Sequence, residues 1–76
     1  MNIELLDTAV LEVDLPSHGL KPGDVGAVVE VYSTDAIEVE FVTASGHTQA
    51  LLTLKPEQVR PVGPRDIPSV RQLSAA

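Results

Sequence analysis

Apolar and polar positions alternate most cleanly at Ile37-Glu38-Val39-Glu40-Phe41. Successive side chains of an extended strand point to opposite faces. This run therefore sets Ile37, Val39 and Phe41 on one face and both glutamates on the other. Short runs rich in Val, Ile, Thr and Leu recur along the chain, and clusters of Gly, Pro, Ser and Asp separate them about every eight to twelve residues. The pattern predicts five strands, over residues 9–13, 27–32, 37–42, 48–54 and 59–62. Between Leu15 and Gly26, Pro16, Pro22, Gly19, Gly23 and Gly26 itself oppose a helix.

Register follows from the same pattern. Ala44-Ser45-Gly46-His47 suits a two-residue hairpin turn, because glycine tolerates a positive φ. Pairing across it sets Phe41 opposite Ala50, Val39 opposite Leu52 and Ile37 opposite Leu54, whereas a slip of one residue would bring Gln49 and Thr53 inside. In the preceding hairpin, a three-residue loop Ser33-Thr34-Asp35 places Val31 opposite Ile37, Val29 opposite Val39 and Glu30 opposite Glu38. A loop of two or four residues would set Val31 against Glu38, unless a bulge absorbed one residue.

Lys55-Pro56-Glu57-Gln58 suits a single 3₁₀ turn, with Pro56 fixing φ at its start and Glu57 near its N-terminal end. Val59-Arg60-Pro61-Val62 then reads as a brief edge strand, since Pro61 has no N–H to donate. Together these elements predict an all-β fold, a small five-stranded SH3-like barrel over residues 1–62 with a 3₁₀ turn before its last strand. The expected interior is Leu11, Val13, Val29, Val31, Ile37, Val39, Phe41, Leu52, Leu54 and Val59. Residues 63–76 lack a period and are expected to form a flexible C-terminal tail. Ile67, Val70 and Leu73 recur at steps of three, too few to nucleate a helix unaided.

Composition narrows the function. The chain has 76 residues, enough for one small domain. Eleven acidic residues against five basic ones give a formal charge of −6. That balance disfavours nucleic acid and anionic membranes. Without cysteine there is no disulfide, thiolate nucleophile or zinc ribbon. No apolar run approaches the ~18 residues that a membrane helix needs. Met1-Asn2-Ile3-Glu4 lacks the basic start of a signal peptide, and a cytoplasmic location is expected.

The run from Leu15 through Gly19-Leu20-Lys21-Pro22-Gly23-Asp24-Val25-Gly26 to Tyr32 carries a likeness, together with Glu38-Val39-Glu40-Phe41 and the run from Leu54 to Val62. Over roughly residues 3–62 the chain resembles a family of small bacterial proteins defined only as a domain of unknown function. The resemblance implies an SH3-like barrel, and it brings no activity, cofactor or catalytic residue with it.

Two surfaces are candidates. Glu30, Glu38 and Glu40 are expected on the outer face of the second and third strands, with Val28, Glu40 and Leu51 in one row and Tyr32 near its end. Glu30 facing Glu38 opposes stability, so an acidic face kept at that cost suits a basic protein partner; the alternative is solubility and protection of the sheet edge. The apolar strip among the glutamates is either a docking patch or is covered by Ile3, Leu5 and Leu6 or by the tail. The loop Pro16–Gly26 is the second surface, a rim carrying His18, Lys21 and Asp24, with Pro22-Gly23 suited to the centre of a type II turn. His47 is expected to be a solvated hairpin residue.

No nucleophile stands in a recognisable motif with a histidine and a carboxylate, and no metal or cofactor is expected. The reading is a non-enzymatic interaction module, such as an accessory subunit, a regulator or a toxin-neutralising protein, with a homodimer as a further option. The alternatives are a nucleic-acid or ribosome-associated module and a small enzyme using His18 with Asp24.

Overall fold

The computed structural model describes residues 3–73. Five strands form one antiparallel sheet: β1 (Thr8–Leu11), β2 (Val25–Ser33), β3 (Ala36–Val42), β4 (Thr48–Leu54) and β5 (Val59–Pro61), in the order β4-β3-β2-β1-β5. Single 3₁₀ turns lie at Pro16–His18 and at the expected Pro56–Gln58. In the second, Lys55 N–H donates to Gln58 Oε1 at 2.9 Å and Gln58 N–H to the Lys55 carbonyl, also at 2.9 Å.

One cluster joins buried residues from every strand: Ala9, Leu11, Val28, Ile37, Val39, Phe41, Ala50, Leu54 and Val59, with Leu20 added from a loop. A flat sheet cannot bring its two edge strands to one cluster, so the sheet curls around its apolar face. It is not a closed barrel. β4 and β5 are the two edges of the ladder. β5 spans three residues and contains Pro61, so it offers too short and donor-poor an edge to complete the ring.

The register of the inner face matches the pattern of the sequence at every expected pair except Val29 with Val39, although neither hairpin loop has the expected length. The β3–β4 loop holds three residues rather than two. Thr43 N–H donates to the His47 carbonyl at 2.8 Å, Gly46 N–H donates to the Thr43 carbonyl at 2.9 Å, and Gly46 has φ +87°. This is a type I turn followed by a left-handed glycine. A bulge at Gln49 absorbs the extra residue, and Phe41↔Ala50, Val39↔Leu52 and Ile37↔Leu54 stand as expected. The β2–β3 loop holds two residues, Thr34 and Asp35, because Ser33 pairs with Ala36. A bulge at Tyr32 restores Val31↔Ile37 and Glu30↔Glu38. In both cases the burial of alternate apolar side chains outweighs the ideal turn.

A third irregularity corrects the sequence reading. Val29 bulges out, so Val28 rather than Val29 pairs with Val39, and Ala27 rather than Val28 pairs with Glu40. Val28 is fully buried at 0% exposure and belongs to the interior, not to the outer row. Val29 lies outside the core cluster. Val31 is on the inner face but at its open end, 37% exposed beside a cleft lined by Ile3, Ile37 and Pro56. Val13 and Leu52 pack at the margin of the core.

Gly26 shows how tightly β2 lies against β3. A Cβ there would sit 2.6 Å from Val39 Cγ1, 2.9 Å from the Glu40 carbonyl and 3.0 Å from Phe41 Cε1. Only a hydrogen fits.

Candidate functional site

The outer face of β2, β3 and β4 is the principal candidate site. Glu30 and Glu38 are directly opposite each other, and Thr53 follows Glu38 across the next strand. Thr53 Oγ1 donates to Glu38 Oε1 at 2.6 Å. The neighbouring row is Ala27, Glu40 and Leu51. Thr48 Oγ1 donates to Glu40 Oε2 at 2.7 Å. Both hydroxyls hold their carboxylates in place without neutralising them. Glu30 Oε1 accepts the N–H of Val31 at 3.1 Å. All three expected glutamates therefore share one face.

Apolar groups stand among them in water. Leu51 is 52% exposed and Tyr32 59% exposed. Partial desolvation, followed by the carboxylates of Glu38 and Glu30, holds the Tyr32 phenol above its ordinary pKa. It remains a neutral hydroxyl at the border of the acidic patch.

Among the described residues, the N-terminal segment leaves Leu51 and Tyr32 of this face exposed. Leu6 N–H donates to the Val28 carbonyl at 2.6 Å, extending the β1–β2 ladder, and Leu6 takes φ +72° in the turn that Glu4 and Asp7 close. Ile3 packs against the core, while Leu5 and Leu6 remain exposed.

The loop rim is arranged differently. Pro22 and Gly23 form the expected turn, with Asp24 N–H donating to the Lys21 carbonyl at 3.1 Å and Gly23 at φ +96°. Asp24 Oδ2 accepts the Lys21 N–H at 2.9 Å. Arg71, from the tail, grips the same carboxylate with two donors, Nε to Oδ1 at 2.7 Å and Nη2 to Oδ2 at 2.5 Å, and Nη2 also donates to the Gly19 carbonyl at 2.9 Å. The hydrogen bonds from Arg71 come first in lowering the Asp24 pKa, and burial opposes them. No hydrogen bond among the described residues joins the His18 imidazole to Asp24. The contact made from this turn of chain is the His18 carbonyl, which accepts from Gln49 Nε2 at 3.1 Å. Among the described residues no three of His, Asp and Glu converge in a metal-ligating group. None of their helices is long and apolar enough to cross a membrane.

The tail has no regular element as far as Leu73, and a second arginine contact ties its start to the domain. Arg60 donates to both oxygens of Asp66 at 2.7 and 2.8 Å, and Gly63 N–H adds a bond at 2.6 Å. Arg60 first and Gly63 second lower the Asp66 pKa to about 2.

The sequence pattern placed the glutamates on one face but left four neighbours unread, Thr48, Thr53, Ala27 and Arg71. Thr53 was already implied by the expected register. Ala27 was hidden by the Val29 bulge. Arg71 had no signal, since 47 residues separate it from Asp24.

No curated protein and no solved structure matches the chain. A family model does match, over residues 5–61, from the turn before β1 to the end of β5. The five-stranded unit thus coincides with a defined family, and the chain belongs to that family, the Domain of unknown function (DUF4926).

Proposed function

We propose that this protein is a non-enzymatic interaction module that docks on a basic protein partner in the cytoplasm through the outer face of β2, β3 and β4. The observation that supports this reading is the direct opposition of Glu30 and Glu38 on an uncovered face that also exposes Tyr32 and Leu51. Like charges placed opposite each other destabilise a sheet, so their retention is better explained by what they attract than by what they do for the fold. Carboxylates around an aromatic and an aliphatic group suit a lysine- or arginine-rich surface with an apolar centre. An accessory subunit, a regulator or a toxin-neutralising protein would each use such a face.

The test is capture from the native cell by tagged wild-type protein and by the triple variant Glu30→Lys, Glu38→Lys, Glu40→Lys. The reading expects one basic protein on the wild type, released by moderate salt and absent from the variant. Recovery of the protein alone, or of the same partner by both forms, would overturn it.

A further inference from the structure

A second surface points to a different ligand. Between the loop that leads into β2 and the end of the β3–β4 hairpin lies a groove of about 500 Å³, with buried Leu20 and Phe41 in its floor, Val25 and Val42 on its rim and residues 69–73 of the tail along one wall. Asp24 stands at one side. Its side chain is only 16% exposed, and the Lys21 N–H fixes its orientation. A carboxylate held this way, beside the Gly19 carbonyl oxygen, presents three acceptors to a planar guanidinium, and Arg71 engages all three.

The segment supplying Arg71 covers the groove only in part. Val70, its immediate neighbour at the wall, is 99% exposed, and Leu73 is the more buried apolar residue of the tail there, at 39% exposure. Val25 and Val42 stay about half exposed. Residues 69–73 also lie beyond the family domain, which ends at residue 61, whereas Asp24 and the groove floor lie within it. The acceptor site thus belongs to the domain, and the arginine that fills it comes from an appended segment.

We propose that this groove is a binding site for an extended segment of another protein, one whose arginine is followed by an apolar residue where this chain has Gln72, and that residues 69–73 occupy its acceptor end in cis as a built-in competitor. The incoming arginine takes the place of Arg71 on Asp24 and Gly19, and its apolar neighbour covers Val25 and Val42. A partly exposed ion pair with so little apolar support, Leu73 alone being partly buried, yields readily to such a ligand. This site is separate from the glutamate face, and either reading can fail without the other.

The experiment uses the full chain, isotope-labelled for NMR, as wild type, Arg71→Ala and the double variant Asp24→Asn, Arg71→Ala. The probe is a synthetic peptide with the sequence of residues 66–73 and its Gln72→Ile variant, which sets an apolar residue directly after the arginine. In Arg71→Ala the peptides should produce saturable shifts at Gly19, Lys21, Asp24 and Val42, the isoleucine variant binding more tightly. Wild type should bind about fivefold more weakly, because a tail tethered in cis competes at an effective concentration in the millimolar range. The double variant should not respond. Equal binding by wild type and Arg71→Ala, persistence in the double variant, or no saturable shift in Arg71→Ala would overturn the proposal. Concentration-dependent dimerisation of wild type with shifts at these same residues would overturn it too, by assigning the groove to the tail of a second copy.

Discussion

The two faces of β2, β3 and β4 are built from the same strands and obey opposite rules. On the inner face Val28 and Val39 are 0% exposed, Ile37 1% and Phe41 2%. Gly26 leaves no room for a methyl group. On the outer face Glu30, Glu38, Glu40, Thr48 and Thr53 make local polar contacts at the surface, and Leu51 and Tyr32 stand in water between them. The inner face specifies the structure, and almost any change in volume there is felt throughout a close-packed interior. The outer face is free to vary, so a binding function placed there costs the fold little.

The contrast predicts a graded series of effects. Phe41→Ala should be the most damaging, since emptying the centre of a small core costs about 3–5 kcal/mol, comparable with the whole stability of many small domains. Chemical denaturation should find it largely unfolded at room temperature; a cooperative, near-native transition would show that the interior can collapse around the gap. Gly26→Ala comes next, at about 1–3 kcal/mol, because the added methyl must push Val39 and the Glu40 backbone aside.

The ion pairs of the tail carry a pH dependence that the apolar face lacks. Asp66 has a folded pKa of about 2, below its ordinary value of 3.8. A group depressed in the folded state stabilises above its unfolded pKa, and that contribution is lost as pH falls from about 4 through 2. Asp66→Asn should therefore lower stability at neutral pH and flatten the acid limb of the stability curve over that window. Parallel curves for the variant and wild type would show that Arg60 does not hold the Asp66 carboxylate in solution. The smallest effect belongs to the outer face. Glu30→Gln removes one member of the opposed pair and should stabilise the fold by a few tenths of a kcal/mol, seen as a slightly raised melting temperature. A loss of stability would mean that the Glu30–Val31 contact outweighs the repulsion.

Strand number, strand type and most of the interior were present in the linear pattern, because a period of two combined with one buried face leaves few consistent registers. Ile37, Val39, Phe41, Leu54 and Val59 are inside for that reason. The pairing of Glu30 with Glu38 was equally accessible, since both follow from the register of the inner face. Loop lengths and bulges were not. A bulge at Val29, Tyr32 or Gln49 depends on how well side chains pack on the next strand, and no local preference records that. Packing of this kind also exchanged Val28 for Ala27 on the outer row and left Val31 at an open edge.

Alternation along the chain was enough to define the sheet and the side on which its charges stand, because burial of every second residue is a short-range rule. The open edge between β4 and β5, the rotation of Val28 inward and the meeting of Arg71 with Asp24 arose only when distant segments came together. Those outcomes rest on shape and on charges far apart in the chain, for which neighbouring residues hold no record.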